Sequence, residues 1–273
     1  MANAPLTRAG LEELLRFYAE SGVDDALEDA PVDRFAVSEP VRTPASKPEA
    51  PRPAPSAPIV QQRTQPAAVP DEAQAAKARE AARSAATLEE LRDILSGFDG
   101  CNLKFTAKTT VFADGNPDGG IMFIGEAPGR EEDLEGLPFV GRSGQLLDKM
   151  LAAIGLDRSR AYIANVIPWR PPGNRTPTPL ETEICRPFIE RQIELANPKI
   201  IVTLGGPSAK TILGAQEGIM RLRGSWRAHV TASGAEIPAM PTLHPAYLLR
   251  NPAHKKLAWR DFLEVKAKLR SLQ

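Results

Sequence analysis

Long apolar runs are missing from this 273-residue chain. None approaches the roughly 20 consecutive apolar residues that a membrane-crossing helix takes. The opening Met1-Ala2-Asn3-Ala4-Pro5 also has neither the basic nor the apolar region of a secretory signal. A soluble, cytoplasmic protein is therefore expected. Charge of one sign is missing too: Lys plus Arg and Asp plus Glu both come to 34, for a formal net charge of +0. This excludes the polybasic way of holding nucleic acid and confines any polyanion contact to a local patch. Cysteine is nearly absent. Cys101 and Cys185 are the only two, too few for a disulfide framework or a four-thiolate metal site.

What is present falls into three stretches. Over residues 6–27, Leu11, Leu14, Leu15, Phe17, Tyr18 and Val23 recur at helical spacing behind Thr7 as an N-cap, which predicts a short amphipathic helix. The stretch 28–71 holds ten of the chain's 26 prolines among Ala, Ser and Gln. It has too little apolar surface to offset its ordering entropy, so a disordered Pro/Ala-rich linker is expected, with its boundary set at 28–85. Within that boundary the Ala-rich run from Glu72 reads as helical. The third stretch, 86–273, is expected to form the folded domain. It begins with Thr87 and Glu90, spaced as a capping box for a helix over 88–96.

From there strand and helix patterns alternate, which predicts a three-layer α/β/α fold around a mostly parallel four-stranded sheet. The expected strands are 120–125, 161–166, 199–204 and 236–241. The expected helices are 144–154, 179–195, 207–213 and 255–269. In such a sheet ligands sit beyond the carboxyl ends of the strands, and the unusual polar residues of this sequence fall there.

Four motifs carry chemistry. Gly125-Glu126-Ala127-Pro128-Gly129 follows a strand, lets backbone approach a ligand and offers a carboxylate; a plain turn fits it equally well. Gly136-Leu137-Pro138-Phe139-Val140-Gly141-Arg142-Ser143-Gly144 holds one aromatic on a loop that opens a helix. Phe139 there can stack on a flat base and Ser143 with the helix amides can take a phosphate, although a core role for Phe139 also fits. Asn165 ends an apolar strand with an amide that can read the donor and acceptor edge of a base, or can cap a turn. Thr242-Leu243-His244-Pro245-Ala246-Tyr247-Leu248-Leu249-Arg250 sets an imidazole at a strand end before an apolar pair and an Arg. That order suits a catalytic group beside a hydrophobic wedge, Leu248 and Leu249, and a phosphate contact, Arg250; a satisfied core histidine fits the lone His244 but explains the Leu-Leu-Arg turn less well. Arg142, Arg175 and Arg223 are further phosphate candidates, and each fits a salt bridge as well. Gly205-Gly206-Pro207-Ser208-Ala209-Lys210-Thr211 hints at a phosphate-binding P-loop. It has Leu204 and Ala209 where the motif needs glycine, and is read as an ordinary helix start.

Together, in this order and spacing, these pieces resemble the family 4 uracil-DNA glycosylases, from about Cys101 to Leu269 and including Arg170-Pro171-Pro172-Gly173-Asn174-Arg175-Thr176-Pro177. The resemblance implies excision of uracil from DNA to leave an abasic site, by a monomer acting at the nucleoid. It implies a uracil pocket formed by Glu126, Ala127, Gly129, Phe139 and Asn165. His244 would be the catalytic histidine, Glu132 a carboxylate that handles water, and Ser143, Arg175, Leu248, Leu249 and Arg250 the DNA contacts. Two other readings use the same features: a relative that binds DNA or uracil without excision, and a module whose N-terminal helix and linker recruit a repair or replication partner.

The sequence departs from the family at its iron-sulfur cluster. The family pattern has four cysteines. Here Cys101 and Cys185 remain, but Lys104 and Trp169 occupy the other two ligand positions that can be matched. Since such clusters are held by thiolates, no cofactor is expected, with Trp169 filling the vacated volume.

Overall fold

The computed structural model describes residues 71–272. The amphipathic helix expected over 6–27 and the proline-rich stretch up to residue 70 lie outside the described residues. The centre of the fold follows from four short apolar runs. Ile121–Gly125, Tyr162–Asn165 and Ile200–Leu204 are buried at every position, as is Ala239 to Thr242 within Glu236–Thr242. Strands buried on both faces are those of a parallel sheet covered by helices.

A six-stranded sheet results, in the order β1-β3-β2-β4-β6-β5. In chain order β1 is Ala113–Gly115, β2 Ile121–Gly125, β3 Tyr162–Asn165, β4 Ile200–Leu204, β5 Arg227–Val230 and β6 Glu236–Thr242. The four expected strands are β2, β3, β4 and β6, and they pair in parallel. The sheet nevertheless has six strands, not four, because β1 and β5 add antiparallel edges. Neither has an apolar pattern: β1 reads Ala-Asp-Gly, and β5 is exposed except at His229.

The helices, also in chain order, are α1 (Asp71–Ser84), α2 (Leu88–Gly97), α3 (Leu103–Thr106), α4 (Arg130–Glu135), α5 (Arg142–Ala153), α6 (Pro179–Ala196), α7 (Gly206–Leu213), α8 (Ile219–Leu222), α9 (Pro245–Arg250) and α10 (Lys255–Ser271). Those that cover the sheet form two layers. Met122, Ile124, Ala164, Ile201 and Ala239 share one core with α1, α2 and α6. Ile121, Phe123, Ile163, Val202 and Met240 share the other with Leu147 and Leu151 of α5 and Phe262 and Val265 of α10. Alternate residues of each strand thus feed opposite layers, as the two-residue period of a strand requires.

The boundary at 85 does not hold. Helix α1 lies within the stretch assigned to the linker, yet Ala75, Ala78 and Ala82 are buried in the core it shares with α6. Small side chains let the two helices approach closely, and Arg191 of α6 ties them by donating to the Ala85 carbonyl from Nε (3.1 Å) and Nη2 (2.7 Å). The folded part therefore starts by Asp71. Ala78→Leu, which would force three carbons into a filled interface, is expected to lower stability by about 1–3 kcal/mol, read as a shift in the urea unfolding midpoint.

Candidate active site

The carboxyl ends of β2, β3, β4 and β6 lie along one edge of the sheet, with β2 between β3 and β4. The chain leaves β2 in opposite directions to reach these two neighbours, and the crevice at such a switch point is where α/β sheets bind ligands. A cleft of about 1020 Å³ opens there, lined by Glu126, Phe139, Asn165, Gly205, His244 and Arg250 among others.

Gly125, the last residue of β2, decides how tightly the cleft closes. A Cβ on it would stand 2.3 Å from Asn165 Oδ1 and 2.6 Å from Phe139 Cζ. Only a bare Cα lets the amide at the end of β3 and the aromatic ring meet over the strand end. Glu126 follows, partly buried, and that burial pushes its carboxyl above the usual range. Ala127 and Gly129 complete the turn and line the same cleft.

Phe139 is set by its backbone. Its φ of 56° is in the left-handed region, which costs a residue other than glycine about 1–2 kcal/mol. Gly144 makes the fold of this loop possible, since a Cβ there would lie 1.7 Å from the Phe139 carbonyl oxygen. Glu132 holds the loop from the cleft side. Its Oε1 accepts from the amides of Val140 (3.1 Å) and Gly141 (3.0 Å), and its Oε2 from that of Gly129 (3.0 Å). Glu132 is thus a buried brace between the two glycine-rich loops. Ser143 lies in the first turn of α5, at the cleft wall.

His244 ends the run from β6 and caps α9. Its Nδ1 accepts from the Ala246 amide at 3.1 Å, which leaves the ring proton on Nε2. Burial, then the positive charge of Arg250, pull its pKa down to about 4. The imidazole is therefore neutral at physiological pH and is a fixed-tautomer donor. The backbone entering it is pinned from behind: Thr242 Oγ1 donates to Asp261 Oδ2 at 2.6 Å, and Gly205 donates its amide to Thr242 O at 2.9 Å. The Phe139 and His244 rings lie 5.5 Å apart at 29°. A flat base between two rings takes roughly 7 Å at van der Waals contact, so a base can rest beside this pair but not between its members.

The structure brings Glu126, Ala127, Gly129, Glu132, Phe139, Ser143, Asn165, Arg175, His244, Leu249 and Arg250 to one cleft. Leu248 is the exception and the correction. It is 1% exposed and packs with Leu243 and Ala258. Neighbouring residues on a helix are about 100° apart, so α9 turns Leu249 outward only by turning Leu248 inward. Arg175 lines the cleft but donates to both oxygens of Glu181 (2.9 and 2.6 Å). Arg223 is tied to the buried Asp261 and to Leu257 O, away from the cleft. The discarded glycine pair Gly205-Gly206 forms the wall facing His244, where Gly205 has a φ of +94° and a Cβ would stand 3.1 Å from that of His244.

The residues at the family's cluster position do not fit a four-thiolate cluster. Cys185 Sγ, whose thiol burial pushes well up, donates to Cys101 Sγ at 3.9 Å. Trp169, 1% exposed, is in the same core and donates from Nε1 to Thr110 Oγ1 at 3.0 Å. Lys104 turns to Asp99 at 2.7 Å. No group of three or more His, Cys, Asp or Glu is placed to hold a metal ion among the described residues.

Comparison with known proteins agrees with this geometry. The model of the Uracil DNA glycosylase superfamily matches residues 112–263. The type-4 uracil-DNA glycosylase of Sulfurisphaera tokodaii is 39% identical over 188 residues, covering 66% of this chain and 84% of that protein. Its counterparts from Thermotoga maritima and Saccharolobus solfataricus are 41% identical over 177 residues and 42% over 179, covering 62% and 63% of this chain and 88% and 81% of those proteins. The chain belongs to the uracil-DNA glycosylase superfamily, beside its type-4 members. With Leu248 reassigned to the core, Leu248→Ala is expected to cost about 2–5 kcal/mol of stability, measured by chemical unfolding.

Proposed function

We infer that this chain is a uracil-DNA glycosylase of base excision repair, which takes uracil out of the helix and hydrolyses its bond to the sugar, leaving an abasic site. The observation that carries this is the meeting of Phe139, Asn165 and a neutral His244 at one strand edge, in a chain about 40% identical to type-4 uracil-DNA glycosylases. Extrusion is required because the reacting bond cannot be reached inside a stacked duplex.

In this reading the base lies against Phe139, and Asn165 reads its edge with one donor and one acceptor, a pattern cytosine does not match. Glu126, Ala127 and Gly129 close the pocket floor. As the bond breaks, uracil takes negative charge and the sugar positive. The Nε2 proton of His244 is the donor for the developing oxyanion, and a donor held in place stabilises that state more than the ground state. Glu132 has three of its roughly four acceptor positions occupied by backbone amides, and the remaining one is available to the attacking water. Arg250 and Ser143 hold phosphates, Arg175 lies over the cleft wall, and Leu249 fills the space the base leaves.

The enzyme is proposed to work without an iron-sulfur cluster. The donor set supports this: two thiols touch each other and an indole stands at a third ligand position. Purified protein is expected to contain no stoichiometric iron and to lack absorbance near ~400 nm, the region of cysteine-held clusters. A brown, iron-loaded protein would overturn the proposal. Action as a monomer at the nucleoid belongs to the same reading, as does recruitment of a repair or replication partner by the N-terminal 70 residues, supported by their proline-rich composition. No described helix is long and apolar enough to cross a membrane.

The test is cleavage of a uracil-containing oligonucleotide, scored after alkaline scission of the abasic site. His244→Ala is expected to lose roughly 100- to 1000-fold in rate, about 3–4 kcal/mol of barrier, with DNA binding little changed; near-normal excision would sink the assignment. Because the His244 pKa is lowered from 6.5 to about 4, its ring is neutral across pH 5–8, and no step from this group is expected there in the rate profile. The unfolded chain takes up a proton near pH 6.5 that the folded chain refuses until about 4, so this contribution to stability is full above the first value and is lost as pH falls toward the second.

A further inference from the structure

Arg158 precedes β3, was not singled out by any motif, and does not line the cleft, yet its guanidinium has an acceptor for every N–H. Nε donates to Asp148 Oδ1 at 2.9 Å, and Nη1 to Asp114 Oδ2 at 2.5 Å and to the Pro138 carbonyl at 3.1 Å. Nη2 donates to the Phe139 carbonyl and, at 3.4 Å, to Asp148 Oδ2. A guanidinium has five such protons in one rigid plane, and all five are used. Two of them hold successive carbonyls of the loop that carries the left-handed Phe139.

The surroundings are arranged for this contact. Asp114 is the middle residue of β1, the edge strand without an apolar pattern, so β1 presents a carboxylate to Arg158. Asp148 comes from α5, whose first turn begins just after the same loop. Gly144 clears the space into which the Phe139 carbonyl turns. Glu132 binds the next two amides, those of Val140 and Gly141, from the opposite side. The segment 138–141 is thus held by its carbonyls through a cation and by its amides through an anion, while the ring of Phe139 lies beside His244 at the cleft.

We propose that Arg158, oriented by Asp114 and Asp148, is a positioning residue that fixes the base-stacking face of Phe139 by holding the Pro138 and Phe139 carbonyls. It acts on the flipped base only through Phe139, and the proposal rests on the uracil-excision reading above. A strained backbone persists where its surroundings over-determine it, and small misplacements of a positioning group are costly because the reacting geometry is narrow. Lysine cannot substitute: the three donors of its ammonium sit on one atom and cannot span two carboxylates and two carbonyls in a plane.

The test compares the full chain with Arg158→Met and Arg158→Lys in three measurements: excision of uracil from an oligonucleotide, inhibition by free uracil, and affinity for a duplex carrying a reduced abasic site, which has no base to stack. For both variants excision and uracil inhibition are expected to weaken by on the order of 10- to 100-fold, while affinity for the abasic duplex stays unchanged. Unchanged excision and inhibition would overturn the proposal, and so would an abasic-duplex affinity that falls in step with them, since that marks general loss of structure. If Arg158→Met does not fold, the same two patterns in Arg158→Lys decide. Failure of the unsubstituted chain to excise uracil is a separate result, and it overturns the functional reading rather than the role of Arg158 in holding the loop.

Discussion

Everything at the cleft depends on the missing side chain at position 125. Parallel strands end in a row, and groups carried by adjacent ends stand apart by the width of the side chains between them. At Gly125 that width is the bare backbone, so Asn165 and Phe139 close over β2 as parts of one wall. The ring then lies within reach of His244, which arrives from β6 on the other side of β4. A four-stranded parallel core therefore brings together groups from three separate loops without any of them being adjacent in sequence.

Once that wall is formed, the electrostatics follow from burial. The imidazole is kept neutral by its surroundings and given a fixed tautomer by the helix it caps. In the proposed mechanism this suits stabilisation of the leaving group, because a neutral donor of fixed tautomer needs no proton uptake before the bond breaks. Glu132 is spent largely on backbone amides. The most buried carboxylate of the cleft thus has a mainly architectural part, while Glu126, partly buried with its carboxyl pushed up, lines the same cleft.

The four central strands could be read from the sequence because being buried on both faces demands uninterrupted apolar residues, and Ile121-Met122-Phe123-Ile124 has no other economical use. The edges could not. Ala113-Asp114-Gly115 pairs through its backbone and turns its one carboxylate to Arg158, which leaves no periodicity to detect. The site was legible where residue type and strand end coincided, as at Asn165 and His244. It failed at Leu248, because a Leu-Leu pair does not say which member a short helix turns inward. Arg158 was invisible for a related reason: its partners come from β1, the Phe139 loop and α5, and no spacing links them.

The two edge strands also bear on how the molecule behaves in company. A sheet is open to lateral growth at its outermost strands, where unpaired amides and carbonyls can template another chain. Here one margin is the three-residue β1, with its aspartate engaged by Arg158, and the other is the four-residue β5, which begins at Arg227 and turns back at Thr231. Both are short and each carries a charged side chain, two features that weaken an edge as a template for a further strand. Among the described residues the apolar strands β2, β3, β4 and β6 all lie inside these two margins.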